Sequence, residues 1–291
     1  MRKAVLIFAM IFLGILLPIG HHLTFLVRYF VMIMLFFAFL NIKIEKDMFS
    51  IDHLKVLVFN LLLPIVFYYS ISWLSLPVAF AAFAIASAPT AAGAPVIAVF
   101  LKSDVRFVTT SVIITSPVIA LILPFTLAYV LKIEAEISII ELLQPIALVV
   151  FIPLILSQSI RYLSNKLTTF LQRFNQLPFF LFLGNVYIAS AKATNYISND
   201  EETPWYIFLY ILAAIGIICL IQFKLGERIS KKENSIESGL GLGRKNTMFA
   251  LWLSLTFIDP VTGLGPIFYI LFQNAYNSWQ MYVIGRKEKY G

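Results

Sequence analysis

The chain has 291 residues, 60% of them hydrophobic and 13% charged, with a mean hydropathy of +0.89 and a formal net charge of +7. Soluble domains are roughly half apolar and a quarter charged, so this composition excludes an ordinary soluble protein and indicates a polytopic membrane protein. At roughly 20 apolar residues per crossing, ten spans with short loops use nearly the whole chain and leave no room for a soluble domain.

Apolar runs fall at 4–20, 23–41, 55–74, 76–101, 107–131, 137–160, 177–194, 204–223, 236–258 and 262–284, each compatible with a helical crossing. The first run follows Met1-Arg2-Lys3 and has the layout of a signal peptide. Pro18-Ile19-Gly20-His21-His22 lacks the small-x-small cleavage pattern, however, so the run reads as a retained span. Arg28 in the second run and Asn60 in the third read as an interfacial cation and interhelical glue, without a functional role.

Two runs look unlike the other eight. The fourth carries Ser87-Ala88-Pro89-Thr90-Ala91-Ala92-Gly93-Ala94-Pro95, and the ninth carries Gly239, Gly241 and Gly243 ahead of Arg244-Lys245-Asn246-Thr247. Proline removes an amide donor and clashes with the preceding turn, and each glycine weakens a helix by roughly 1 kcal/mol relative to alanine. Both spans are expected to break. The competing reading of the glycines is a close helix-packing face. The fourth and ninth spans occupy equivalent places in two five-span halves, and such a pair of discontinuous helices marks a transport site in inverted-repeat transporters.

Lysines and arginines separate cleanly by loop. Arg2, Lys3, Lys43, Lys46, Lys55, Lys102, Arg106, Arg161, Lys166, Arg173, Lys224, Arg228, Lys231, Lys232, Arg286, Lys287 and Lys289 fall on one side, against Lys132 and Lys192 on the other. By the positive-inside rule both termini are expected in the cytoplasm of a cell membrane. The basic balance then reflects topology and attraction to lipid heads, and no nucleic-acid partner is expected. Asp200-Glu201-Glu202 reads as a solvated outer loop. Cys219 reads as a packing residue, and His21, His22 and His53 match no zinc spacing, so neither a metal centre nor a cofactor is expected.

Lys245 is the most informative residue. A cation near the middle of a bilayer costs at least ~2.5–3.5 kcal/mol on insertion scales and persists where it faces a cavity, a partner or a substrate. Helix N-termini attract anions; here they are expected near Ala94-Pro95-Val96 and Asn246-Thr247. The candidate substrate residues are Thr90, Gly93, Ala94, Pro95, Gly243, Asn246, Thr247 and Asn274, with Thr109, Thr110, Arg244 and Glu237 as weaker candidates. The threonine pair has a plainer reading, a bond to its own preceding turn. The expected substrate is a small organic anion, taken from a lipid-embedded site, with no obligate protein partner.

Ala88-Pro89-Thr90-Ala91-Ala92-Gly93-Ala94-Pro95-Val96, Leu101-Lys102-Ser103-Asp104-Val105, Thr115-Ser116-Pro117, Gly243-Arg244-Lys245-Asn246-Thr247, Asp259-Pro260 and Gln273-Asn274 together resemble the bile acid:sodium symporter family over almost the full length. That resemblance implies an all-α membrane fold of ten transmembrane helices in two inverted repeats, about 1–132 and 133–291, with helices 4 and 9 crossing as broken helices. It also implies panel and core domains, alternating access, and sodium sites behind the crossover. Aligned on Gly243 and Asn246, the family's sodium-binding glutamate is replaced by Gly241 and its glutamine by Lys245, and its Ser-Asn pair by Ala94-Pro95.

Oxygen ligands are lost at each place, and an ammonium within a few ångströms repels an alkali cation by several kcal/mol at an effective dielectric near 20. Lys245 is therefore expected to take the place of the bound cation, either permanently charged or titrating as a proton carrier. A shifted register, with Glu237-Ser238-Gly239 as the family's Glu-x-Gly, restores one carboxylate. The alternatives are a sodium-coupled symporter, a metalloid extruder, a receptor of transporter fold, and an intramembrane enzyme. No Gly-x-Ser-x-Gly elbow and no His-Glu-x-x-His supports the last.

Overall fold

The computed structural model describes residues 2–43, 49–132, 139–199 and 204–290. Lys46, the acidic loop Asp200-Glu201-Glu202 and the start of the expected second repeat lie outside them. The described residues are 84% helical and contain no strand. In chain order the helices are α1 (Arg2–Leu16), α2 (Leu26–Leu40), α3 (Ile51–Ser72), α4 (Leu76–Ala86), α5 (Ala94–Phe100), α6 (Val105–Val130), α7 (Ile139–Leu163), α8 (Asn165–Gln172), α9 (Leu177–Asn199), α10 (Tyr206–Ile229), α11 (Ser235–Gly243), α12 (Thr247–Phe257) and α13 (Leu264–Tyr290). Five of them, α3, α6, α7, α9 and α10, are long and apolar enough to cross a membrane. The all-α membrane class follows from that.

Each apolar run of the sequence carries helix, but two carry two helices apiece. The run 76–101 is split into α4 and α5, and the run 236–258 into α11 and α12. In the first, Pro89 cannot continue α4, and Pro95 sits in the opening turn of α5, where its missing amide would be unpaired in any case. In the second, Arg244 turns to extended backbone after α11, and the Asn246 side chain starts α12 by accepting from the Phe249 amide at 3.2 Å.

The glycines do not make the second break, contrary to the sequence expectation. Gly239, Gly241 and Gly243 all lie inside α11, and it is Arg244–Asn246 that unwinds. Their role is close packing. A Cβ at Gly243 would strike the Phe223 ring of α10, one at Gly239 would meet Glu227 Cγ at 2.8 Å, and one at Gly241 would meet Ser111 Oγ of α6 at 3.2 Å. Opposite, a Cβ at Gly226 of α10 would run into the Ser238 carbonyl. Small residues thus let α11 sit between α10, α3 and α6 at backbone distance.

One helix has no counterpart among the apolar runs. The short α8 follows a Ser164 N-cap, whose hydroxyl accepts from the Leu167 amide at 3.2 Å, and only Thr168 of its residues is buried. Its mixed composition hides it from a hydropathy reading.

Candidate functional site

The two unwound segments, 87–93 and 244–246, pass each other as an isolated antiparallel bridge between Thr90 and Lys245. The Ala91 amide donates to the Arg244 carbonyl at 2.7 Å, and the Asn246 amide donates to the Pro89 carbonyl at 2.9 Å. Unpaired backbone in a membrane interior costs several kcal/mol per group. Here each break supplies the partners of the other.

Four helix ends meet at this crossing, and the two C-terminal ends need donors for their free carbonyls. Lys245 serves the first. Its side chain is only 1% exposed, and its ammonium donates to the Ala86 carbonyl at 2.8 Å, the Ala88 carbonyl at 3.1 Å and the Asn60 side-chain oxygen. All three N–H groups are satisfied, and the positive charge sits on the negative end of α4, where a helix dipole favours a cation. The Lys245 amide is held in turn by Gln273 Oε1 at 3.2 Å.

The second C-terminal end, that of α11, is served by neutral hydroxyls. Thr90 Oγ1 donates to the Gly241 carbonyl at 2.6 Å, and the Tyr269 hydroxyl donates to the Gly243 carbonyl at 2.6 Å. Thr90 is itself positioned by its amide, which donates to Thr115 Oγ1 at 3.1 Å. A hollow of about 10 Å³ is bordered by Asn60, the acceptor of the ammonium, and by Pro64, Ser87 and Thr126. That is the lower limit for a single water. The buried Ser87 hydroxyl beside it has no protein partner.

On the other side of the crossing lies a cavity of about 680 Å³. One wall is apolar, with Val31, Met34 and Leu35 from α2 and Phe179 and Phe182 from α9. The opposite wall is the crossing itself, with Gly93, Arg244, Asn246, Thr247, Gln273 and Asn274. Among the described residues, Arg244 and Lys245 are its only charged lining residues and no carboxylate lines it. The Lys245 ammonium is engaged elsewhere, since none of its three acceptors belongs to the cavity wall. The cation that faces an occupant is Arg244.

Arg244 is held by α13. Its Nη1 donates to Asn277 Oδ1 and its Nη2 to Asn274 Oδ1 at 3.2 Å, while Nε is buried with no partner. The chain continues from Asn277 Nδ2 to Gln280 Oε1 at 2.9 Å and from Gln280 Nε2 to Glu227 Oε1 at 3.0 Å. No acid pairs directly with Arg244 among the described residues.

Of the sequence candidates, Gly93, Asn246, Thr247, Asn274 and Arg244 are brought together around the cavity. Thr90, Ala94, Pro95 and Gly243 do not line it. Thr90 is spent on the Gly241 carbonyl, and Gly243 is covered by Phe223. Thr110 bonds the Arg106 carbonyl of its own preceding turn at 2.9 Å, and neither it nor Thr109 reaches the cavity. Glu237 Oε1 accepts from the Asp104 amide at 2.8 Å, tying α11 to the start of α6 and away from Lys245.

Asn60 has a different place from the one expected. It is the side-chain acceptor of the Lys245 ammonium and not merely interhelical glue. Gln273, Asn277 and Tyr269 also belong to the site. A polar residue inside an apolar helix, as at positions 60, 273 and 277, was the available signal, but nothing in the linear chain says which of them face one another.

No protein-family model matches the chain, and no curated protein matches it in sequence.

Proposed function

We propose that the protein is a membrane transporter of a small organic anion, working by alternating access across the cavity beside the crossing. The observation that carries this reading is the charge of the cavity wall: among the described residues its charged members are Arg244 and Lys245, with amides and a hydroxyl around them and no acid. Arg244 lines the cavity with no described acid paired to it, and Asn246, Thr247 and Asn274 offer further hydrogen bonds. A cavity of about 680 Å³ is in the range of small-molecule sites. The apolar wall accepts the body of the anion and the crossing accepts its charged end.

In this reading the chain is a ten-span protein of the cell membrane, two inverted halves with both termini in the cytoplasm, similar to the bile acid:sodium symporter family. Helices α1, α2 and α9 belong to the panel, and the crossing belongs to the core. Lys245 stands where relatives hold a cation. Its ammonium occupies the C-terminal carbonyls of α4, which supports transport that does not depend on sodium.

The test needs no known substrate. The purified protein is melted in sodium, potassium and choline chloride at equal ionic strength, because a ligand that binds only the folded state raises its stability by mass action. Equal melting temperatures in the three salts are expected. A rise specific to sodium would overturn the lysine-for-sodium reading and restore a sodium symporter. The anion site is tested by screening carboxylates and sulfonates for melting shifts that disappear in Arg244→Gln, followed by uptake of the best binder into proteoliposomes. Binding of no anion, or binding unchanged by Arg244→Gln, would sink it.

A further inference from the structure

A second polar hollow lies away from the crossing, at the junction of α2, α7 and α8. It has a volume of about 620 Å³, and the described residues that line it are polar or basic, Lys43, Arg161, Asn165, Thr169 and Gln172 among them, with no acid among the described residues. A neighbouring hollow of about 420 Å³ shares Asn165 and Thr169 and adds Lys166, Phe170 and Arg173. The two form one basic groove along α8.

We infer that this groove binds the phosphate of an anionic glycerophospholipid in the leaflet where α8 lies. Charge is the first argument. No carboxylate pairs with Arg161, Lys166 or Arg173 among the described residues. Arg161 spends only Nη1, which donates to the Leu40 carbonyl at 2.7 Å, and its remaining N–H groups have no protein acceptor among the described residues. Together with Gln158, whose Nε2 donates to the Phe39 carbonyl at 2.8 Å, it closes the end of α2 and forms a rigid floor.

Placement is the second argument. α8 turns its one buried residue, Thr168, toward α7, where Thr168 Oγ1 lies 3.4 Å from the Ile160 carbonyl while it also donates to the Ser164 carbonyl of its own N-cap at 3.0 Å. Tyr162 is 90% exposed, Leu163 78% and Phe170 51%, all beside the cations. Large apolar groups next to a groove that carries Arg161, Lys166 and Arg173 suit a molecule with an anionic head and hydrocarbon tails, and a short helix of mixed character lies naturally at the headgroup level. A free phosphate or an acidic peptide would use the cations and leave those apolar groups without a partner. Basic hollows at helix ends are a recognised form of lipid headgroup site.

The experiment compares the full-length protein in nanodiscs of phosphatidylcholine alone and of phosphatidylcholine mixed with phosphatidylglycerol, reading the melting temperature and the lipid retained in native mass spectrometry. Phosphatidylglycerol is expected to raise the melting temperature by several degrees and to be retained selectively. The double variant Lys166→Gln/Arg173→Gln changes only exposed side chains that make no protein contacts and keeps the fold. It is expected to weaken retention roughly thirtyfold, and Arg161→Gln to weaken it further.

Equal melting in the two lipids, or selective retention unchanged in the double variant, would overturn the site. An equal rise from inorganic phosphate or glycerol 3-phosphate in detergent would overturn the lipid assignment and leave a soluble phosphate as the ligand.

Discussion

The chain unwinds twice within its apolar spans, and the two breaks are held by different chemistry. At the first, the C-terminal carbonyls of α4 are covered by the Lys245 ammonium. At the second, those of α11 are covered by the Thr90 and Tyr269 hydroxyls. The exchange is reciprocal, since Lys245 belongs to the second break and Thr90 to the first. One side of it depends on a full charge, however, and the other does not. A buried ammonium surrounded by neutral oxygens is a costly arrangement, and it is tolerable here because all three donors are filled and because the end of a helix is the most negative neutral group available. The difference implies that the first break is the one whose integrity sets the state of the whole crossing.

Substitutions at the two breaks separate these roles. Lys245→Met strands Asn60 Oδ1, Ala86 O and Ala88 O, and a buried polar group left unpaired costs about 1–3 kcal/mol. Relief of the buried charge offsets part of the sum. The expected loss is about 3 kcal/mol or more, read as the largest fall in melting temperature of the series; a variant as stable as the parent would remove the asymmetry. Lys245→Ala leaves a space in which small cations can be tried, and a melting rise specific to sodium in this variant alone would identify the ammonium as the ion's substitute.

The hydroxyl side should give less. Thr90→Val leaves the Gly241 carbonyl only the long contact from Asn60 Nδ2 at 3.5 Å, and Tyr269→Phe leaves the Gly243 carbonyl and Gln222 Oε1 without the hydroxyl, for about 1–3 kcal/mol per group. Denaturation of the two single variants and the double checks whether they add, as independent caps on different carbonyls should. Gly243→Ala drives a methyl into the Phe223 ring and is expected to fall in the same range, about 1–3 kcal/mol.

A smaller effect on stability is expected at Arg244 than at Lys245. It lies at the second break and caps no backbone carbonyl, but Arg244→Gln withdraws the donor from buried Asn277 Oδ1, for about 1–3 kcal/mol, offset in part by relief of the buried charge. Its distinguishing effect belongs to binding. Loss of a charge-assisted hydrogen bond should weaken an anionic ligand roughly ten- to a hundredfold in calorimetry or a melting titration. Thr110→Val, which removes only a bond to its own helix turn, serves as the silent control.

The places of the breaks were readable residue by residue. Pro89 and Pro95 forbid a continuous helix through 87–93, and Asn246-Thr247 forms a helix start wherever it occurs with an apolar run behind it. The prominence of Lys245 was readable for the same reason, because insertion cost applies to any lysine in such a run. The glycines misled: a propensity argument makes them breakers, while packing against Phe223 and Glu227 makes them helical contacts. Propensity is a weak prior that tertiary contact overrides. Thr90 and Gly243 were grouped with the substrate residues because they sit in the broken segments, and the direction in which each points is a property of the assembled crossing. The helix α8 was hidden by having no apolar run of its own.

Composition and hydropathy by themselves determined that this is a helical membrane chain with two interrupted spans and a buried lysine, because the cost of placing polar groups in hydrocarbon acts locally along the chain. Only the tertiary structure decided that the lysine closes a helix end while Arg244 faces the cavity, that Asn60 receives the ammonium across 185 residues of sequence separation, and that Gln273 joins the wall. Those assignments depend on which faces meet, and a helix carries no information about its neighbour until the two are packed.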